Sequence, residues 1–165
     1  PDGSSYQGAW LAGVIEGEGL AIYPNGITYK GGFKGARNHG YGVMRYNDGY
    51  IYEGNWQDGM RNGQGKATFA DGMVYEGDYL AGRRHGKGKI QLPDGFVYQG
   101  DWENGEITGQ GTATYANGDI YEGTFVKGKR QGQGTIKFAS GEEATGSWKD
   151  GALVSTDQDG VVKEE

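Results

Sequence analysis

The chain has 165 residues, of which 35 are glycine and only 35% are hydrophobic, so a thick globular core is excluded. It has no cysteine, which excludes disulfides and thiolate metal sites, and its net charge of −6 argues against nucleic acid as a partner. No apolar run approaches the roughly 18 residues of a membrane-spanning helix, and no signal-peptide pattern is present. The sequence does not determine the cellular compartment. A cytoplasmic or membrane-associated location is favoured, and a periplasmic or secreted one is not excluded.

A unit of 23 residues repeats along the chain, and residues 75–97, YEGDYLAGRRHGKGKIQLPDGFV, are its clearest copy. Residues 1–5 match the end of such a unit, so we expect the chain to begin inside a longer array. The array is predicted to span residues 6–153, and residues 154–165 are predicted to be a disordered tail. The six full copies begin at Tyr6, Tyr29, Tyr52, Tyr75, Tyr98 and Tyr121, and a partial copy begins at Ala144.

Glycines and aromatic residues recur at fixed positions of the unit, counted from its first tyrosine as position 0. Glycine occupies +2, +7, +11, +13 and +20 in nearly every copy, and aromatic residues occupy 0, +4 and +17. The one internal exception is Ala36 at +7, where Gly35 is expected to supply the turn conformation one residue earlier. These two patterns indicate rings that lie across glycine positions of neighbouring strands.

Apolar and polar residues alternate with a period of two, which is typical of β-strands. Tyr75, Gly77 and Tyr79 alternate with acidic residues, and a second alternating run ends at Leu92. The Asp-Gly and Asn-Gly pairs at +19 and +20 indicate hairpins between units. A three-residue loop ending at Gly95 brings all the aromatic columns to one face, whereas a two-residue loop would divide them between two faces.

The predicted fold is all-β: a single-layer, twisted antiparallel β-meander of tandem 23-residue hairpins. About 12 to 14 strands spaced ~4.8 Å apart give an elongated, solenoid-like rod of roughly 60 Å. With no second layer, the aromatic rings form the only core, and stability is expected to add up between neighbouring units.

The pattern Tyr-x-Gly-x-aromatic, Gly, Gly-x-Gly, Asp-Gly within 23 residues resembles the MORN (membrane occupation and recognition nexus) repeat. The resemblance covers residues 1 to about 153 and implies the same meander of hairpins. Proteins with this repeat include junctophilins, some plant phosphatidylinositol phosphate kinases, a histone lysine methyltransferase and cytoskeletal scaffolds. They share the repeat but no single activity, so function has to be argued from the site.

The aromatic columns predict a groove that binds a protein segment, because rings with hydroxyls at the rim suit a peptide or helix. The alternative is that the same rings are simply the core of the repeat. The residues of this predicted groove are Tyr29, Tyr52, Trp56, Tyr75, Tyr79, Tyr98, Trp102, Tyr121 and Phe125.

A second hypothesis is a peripheral membrane module that contacts anionic phospholipid headgroups. It assigns clustered basic residues to longer loops within each unit, opposite the hairpins that carry Asp48, Asp71 and Asp94. The alternative is ordinary solvated loop charge. The residues of this predicted basic edge are Arg37, Arg61, Arg83, Arg84, Lys127, Lys129 and Arg130.

Leu20, Ile22 and Val43 place apolar side chains in columns that are polar in later copies, which predicts a self-contact with a second copy or with upstream repeats. The alternative is that β-branched residues merely favour strands. A third functional hypothesis is a structural spacer within a larger enzyme or surface protein.

Nothing in the sequence predicts a catalytic, cofactor or metal site, so the segment is expected not to be an enzyme. Gly-x-Gly recurs without a following helix, which does not fit a dinucleotide site. His39 and His85 stand about four strands or ~19 Å apart, too far to share a metal ion. Asp157-Gln158-Asp159-Gly160 only faintly resembles a calcium loop.

Overall fold

The computed structural model describes residues 3–157 as one 14-stranded antiparallel sheet in which each strand pairs with the next in sequence. This is the predicted all-β meander of hairpin repeats. The strands are β1 Ser5–Leu11, β2 Val14–Ile22, β3 Thr28–Lys34, β4 Arg37–Arg45, β5 Ile51–Gln57, β6 Met60–Thr68, β7 Val74–Leu80, β8 Arg83–Gln91, β9 Val97–Glu103, β10 Glu106–Thr114, β11 Ile120–Val126, β12 Lys129–Lys137, β13 Glu143–Lys149 and β14 Ala152–Thr156.

The two strands of a unit are joined by a two-residue turn, not by the longer loop that the sequence suggested. Ala81 and Gly82 both have positive φ, at 48° and 84°, which suits the right-handed twist of a tight hairpin. In the second unit, Gly35 and Ala36 take φ values of 55° and 63°. Gly35 therefore does not replace the turn conformation at the next position, because the turn requires it at both residues and Ala36 adopts it too.

Successive units are joined by the predicted three-residue loop. The amide of Leu92 donates to the carbonyl of Phe96 at 2.8 Å, and Gly95 has a φ of 98°. Asp94 closes the loop, since its Oδ1 accepts from the amide of Phe96 at 2.9 Å. Ile90 consequently pairs with Tyr98, so the aromatic columns share one face as predicted.

A bulge within each unit explains the glycine at +11. Between the pairs Gly77–Gly88 and Tyr79–Arg84, one residue of β7 faces three of β8. Gly86 lies in this bulge with a φ of 66°. The bulge lets the second strand reach nine residues while its partner has seven, and it turns the side chain of Arg84 toward the aromatic rings.

The core is a continuous zipper of rings on one face of the sheet, here called the aromatic face. Tyr75 is fully buried and contacts Tyr79 and Trp102 edge to face, each with ring centroids 5.2 Å apart. Its ring lies over Gly88, where an added Cβ would stand 2.4 Å from the hydroxyl oxygen. The pairing recurs from unit to unit, so a ring and the glycine beneath it form one structural device.

The ends of the array differ slightly from the sequence-based boundaries. β14 extends to Thr156, three residues beyond the predicted end at 153, because Gly146 and Ser147 pair with Thr156 and Ser155. The rest of the predicted tail, from residue 158, and residues 1–2 lie outside the described residues. Within residues 3–157, no helix is long and apolar enough to cross a membrane.

Candidate functional site

The nine side chains predicted to line a partner groove are buried. Tyr29, Tyr52, Tyr75, Tyr98 and Tyr121 are 0% exposed, and Trp56, Tyr79, Trp102 and Phe125 are 3–6% exposed. The expectation of an open trough of rings is therefore wrong for these residues, because successive units pack the rings edge to face against each other. They form the floor beneath a surface that other side chains provide.

The tyrosine hydroxyls that were expected at a solvent-facing rim bond to the backbone instead. Tyr75 Oη donates to the carbonyl of Asp78 at 2.7 Å, and Tyr29 Oη donates to that of Gly32 at 2.8 Å. Burial raises the pKa of these two tyrosines above the ordinary value of 10.0. Each hydroxyl is thus satisfied within its own strand and is not available to a partner.

A row of half-buried apolar and aromatic side chains flanks the three-residue loops on the aromatic face. Tyr50 contacts Tyr46 and Phe69 with centroid distances of 5.0 and 4.6 Å, and Phe96 contacts Tyr115 at 5.6 Å. The sequence showed the +17 column but gave no role to +21, which the three-residue loop brings to the same face. We call this set the rim row: Tyr46, Tyr50, Phe69, Met73, Leu92, Phe96 and Tyr115.

Three arginines predicted at a loop edge lie on the aromatic face instead, at position +9 of their units. The guanidinium of Arg61 stands 4.5 Å from the ring centroid of Tyr52, and that of Arg84 stands 4.9 Å from Trp102. Arg130 lies 4.5 Å from the ring of Trp148. All three are half-buried, so the predicted loop-edge location is wrong for them, whereas a headgroup contact stays a prediction.

The remaining residues of the predicted basic edge are exposed but do not lie on long loops. Arg37, Arg83 and Lys129 each begin the second strand of a unit, and Lys127 lies in a two-residue turn. The edge is therefore narrower than expected. Its use as a headgroup contact stays a prediction.

The arginines of the aromatic face have no acidic partner among residues 3–157. The ion pair found within residues 3–157 joins Lys87 to Asp101, and it lies on the opposite face of the sheet, here called the outer face. The hairpin carboxylates of Asp48 and Asp71 accept from backbone amides two residues onward, at 3.0 and 2.9 Å. Positive charge on the aromatic face is therefore not neutralised by carboxylates within salt-bridge distance.

Arg61 is held in place by the rim row. Its guanidinium donates to Tyr46 Oη at 3.1 Å and also to Tyr50 Oη. Arg84 makes no side-chain hydrogen bond within the described part of the chain, although its guanidinium stands 5.6 Å from the ring of Tyr75. One arginine is thus positioned by tyrosine hydroxyls, whereas the next keeps its donors free.

A recess of about 250 Å³ opens between these two arginines. The rim row forms one side of the recess, and the glycines of two-residue turns form the other. Its mixed aromatic and cationic lining suits a polar ligand with apolar segments. The lining residues are Tyr50, Arg61, Phe69, Tyr75, Tyr79, Gly82, Arg83, Arg84 and Gly105.

The residues predicted for self-contact do not form a continuous apolar patch. Leu20 and Val43 both pair with Lys30, which lies between them in the sheet. Ile22 is 38% exposed and lies two residues further along β2. Self-association through these side chains stays a prediction.

No cluster of three or more potential metal ligands occurs within residues 3–157. His39 and His85 lie on β4 and β8, which are separated by three other strands. A shared metal site at these two histidines therefore has no geometric basis.

The fold and its ring-on-glycine core define an array of tandem β-hairpin repeats. The chain belongs to the MORN repeat family: MORN repeats match residues 6–28, 29–49, 52–74, 75–97, 98–120 and 121–143. No curated protein matches the chain.

Solved structures are similar to this chain at low sequence identity. The SAS-4 (dCPAP) TCP domain of Drosophila melanogaster, in complex with a proline-rich motif of Ana2 (dSTIL), is 18% identical with a TM-score of 0.54. The match covers 87% of this chain and 78% of that domain. The wild-type TCP10 domain of Danio rerio CPAP is 14% identical with a TM-score of 0.47, over 85% and 66% of the two chains.

Proposed function

We propose that this chain is a non-catalytic interaction scaffold that binds a protein segment along its aromatic face. The binding surface is the rim row together with Arg61 and Arg84. It replaces the predicted groove, whose rings lie beneath this surface. A segment laid along the face would cover half-buried rings and meet free guanidinium donors without any change in the sheet.

One observation carries the proposal: aromatic side chains and arginines without carboxylate partners line a recess on the aromatic face. The buried rings beneath this recess are already packed against each other. Aromatic and arginine side chains are the residues that contribute most to protein interfaces. The complex of the similar TCP domain with a proline-rich motif supports a protein segment as the ligand, since that domain shares the fold.

A flat membrane surface fits the aromatic face less well than a segment does. Arg61 and Arg84 are half-buried among rings, so their charges lie within a recess and not on a projecting edge. Of the predicted basic edge, the exposed cations near the two-residue turns, such as Arg83 and Lys127, could approach headgroups freely. Lipid binding is therefore the competing hypothesis, which the experiment below distinguishes from peptide binding.

Selection from a display library of random 12-residue peptides tests the proposal. We expect the wild-type chain to enrich peptides whose binding is lost in a variant carrying Tyr50→Ala and Phe69→Ser. A control variant carrying Ile51→Ser and Val74→Ser changes half-buried side chains on the outer face. Circular dichroism of both variants verifies that the sheet remains folded.

The outcomes separate the hypotheses clearly. Loss of binding in the rim variant, with binding kept in the outer-face control, supports the proposal. Enrichment that is equal in both variants, or no enrichment over an unrelated β-protein, contradicts it. Flotation with anionic vesicles in place of peptide binding would favour the membrane hypothesis.

A further inference from the structure

We infer that the aromatic face recognises a polyproline II segment that carries two carboxylates three residues apart, one for Arg61 and one for Arg84. This inference rests on the proposed function and specifies its ligand. Its first element is charge: neither arginine has a carboxylate within 4.0 Å among residues 3–157. Guanidinium groups bind carboxylates through paired, charge-assisted hydrogen bonds, so an acidic segment is the complementary ligand.

The second element is the spacing of the two arginines. Arg61 and Arg84 occupy the same position of consecutive units, on β6 and β8, which are separated by one strand. At ~4.8 Å between neighbouring strands, one unit advances about 9.6 Å along the array. A segment that lies along the array and contacts both arginines must therefore place its two carboxylates about 9.6 Å apart.

Among extended and helical peptides, polyproline II fits this period best. Three of its residues advance about 9.3 Å and return a side chain to the same side. Side chains on one side of a β-strand recur at about 6.7 or 13.4 Å, which matches neither one unit nor its arginines. Two turns of an α-helix advance about 10.8 Å, which exceeds the length of one unit by about 1.2 Å.

The third element is the rim row beside the arginines. The half-buried rings of Tyr50 and Phe69 have centroids 4.6 Å apart, and both rings line the recess. Aromatic grooves of this kind bind polyproline II segments because the preformed helix loses little entropy on binding. Prolines between the carboxylates would therefore contact rings while the carboxylates contact arginines.

Arg130 does not belong to this pair. Its guanidinium already donates to the carbonyl of Gly151, through Nη2 at 2.6 Å and Nε at 3.1 Å. The column between it and Arg84 holds Ile107. The site is thus limited to two consecutive units, and the motif that it reads is acidic-x-x-acidic.

Three synthetic peptides test the inference against the folded wild-type chain. The first is PPEPPEPP, with glutamates three residues apart; the second is PPEEPPPP, with adjacent glutamates; the third is PPQPPQPP, without charge. We expect PPEPPEPP to bind about tenfold more tightly than PPEEPPPP, as one lost arginine contact predicts, and binding of PPQPPQPP to be undetectable. Equal affinity for the first two peptides would overturn the spacing argument.

A pair of charge-removing variants locates the site. Arg84→Gln is expected to weaken PPEPPEPP about tenfold, whereas Lys89→Gln, which removes a charge from the outer face of the same strand, should weaken it less than about twofold. Equal weakening by both variants would show general electrostatic attraction and contradict the inference. Because the peptide comparison uses the wild-type chain, it does not depend on the folding of any variant.

The same experiments distinguish failure of this inference from failure of the proposed function. Displayed peptides that require Phe69 but contain no acidic-x-x-acidic motif would leave the scaffold proposal standing and overturn the inference. Absence of any peptide that requires the rim row would overturn both. Binding of anionic phospholipid vesicles that is lost in Arg84→Gln, without peptide binding, would also overturn both.

Discussion

Two tryptophans at the same position of the unit have opposite environments. Trp102 is 4% exposed, contacts the ring of Tyr75 in the preceding unit, and donates from Nε1 to the carbonyl of Gly88 at 2.9 Å. Trp10 is 58% exposed and contacts the ring of Tyr6 in its own unit. The difference shows that the preceding unit buries this ring, because it supplies both the tyrosine and the acceptor carbonyl.

A unit therefore completes its core only by stacking on the unit before it. Stability then depends on interfaces between neighbours more than on the interior of each hairpin. The predictions that follow compare the interior of the array with its first hairpin, β1 and β2.

Alkaline pH should produce the largest effect, since it acts on every interior tyrosine together. Burial raises the pKa of Tyr52, Tyr75 and Tyr98 above 10.0, and burial raises that of Tyr79 to about 12. The folded state thus retains protons that the unfolded state loses. The contribution of these tyrosines to the free energy of unfolding is therefore fully present below pH 10 and falls as pH rises from about 10 to 12. Circular dichroism and tyrosinate absorbance should change together; ionisation with a retained sheet would contradict this.

Removing the interior tryptophan should cost far more than removing the edge tryptophan. Trp102→Ala loses a buried ring and is expected to lower the free energy of unfolding by about 3–5 kcal/mol. Trp10→Ala removes a ring that is already exposed to solvent, and its expected cost is below about 1 kcal/mol. Urea denaturation of both variants measures the difference, and similar costs would contradict the role of the preceding unit.

Adding a methyl group beneath an interior ring should also be costly. In Gly88→Ala the new Cβ would lie 2.4–2.6 Å from the ring of Tyr75, which is held between Tyr79 and Trp102. We expect a loss of about 1–3 kcal/mol. In Gly19→Ala the Cβ would meet Tyr6 at similar distances. That ring contacts Trp10 and Phe33 but is only half-buried, so we expect it to yield at a lower cost.

The thermal midpoints of these two glycine variants provide the measurement. Gly88→Ala should lower the midpoint more than Gly19→Ala does. If both lower it equally, the first hairpin is as rigid as the interior.

Removing one tyrosine hydroxyl should have a smaller effect. Tyr75→Phe leaves the carbonyl of Asp78 without its partly buried donor, at an expected cost of about 1 kcal/mol. In the control Tyr6→Phe, the bond lost is the exposed one to the carbonyl of Ala9, and water can replace it. Chemical denaturation that ranks Tyr6→Phe as the more damaging variant would contradict this account.

The sequence predicted the sheet because its spacing constrains every strand. The three-residue loop at Gly95 followed from requiring all aromatic columns on one face, and the structure confirms it. The sequence also predicted that the aromatic rings form the core, but it left open whether they line a groove as well. The bond from the hydroxyl of Tyr75 to a carbonyl three residues onward could not be predicted, because side-chain direction within a strand does not reveal that contact.

The position of the arginines was missed for a related reason. Ala81-Gly82 does not have the Asn-Gly composition that marks a two-residue turn, so the sequence suggested a longer loop with Arg84 in it. The tight turn places Arg84 within β8, and the bulge at Gly86 then directs it over Trp102. The length of this one turn therefore decides whether Arg84 lies at an edge of the sheet or on its aromatic face.

A further small effect is expected at position +10, whose side chains link neighbouring units. Gln131 Oε1 accepts from the amide of Asp150 at 3.0 Å, and Thr108 Oγ1 accepts from that of Lys127 at 3.1 Å. At the same position, His39 Nδ1 is buried without a hydrogen-bond partner in the described residues.

Replacing this histidine should strengthen the interface between the second and third units. In His39→Gln, the longer side chain can accept from the turn amide of Asp58 as Gln131 does from its own neighbour, with an expected gain of about 0.5–1.5 kcal/mol. The urea midpoint should rise, whereas Gln131→Ala should lower it by a similar amount. An unchanged midpoint in His39→Gln would mean that the turn amide at Asp58 is already satisfied by solvent, and that position +10 aligns the units without stabilising them.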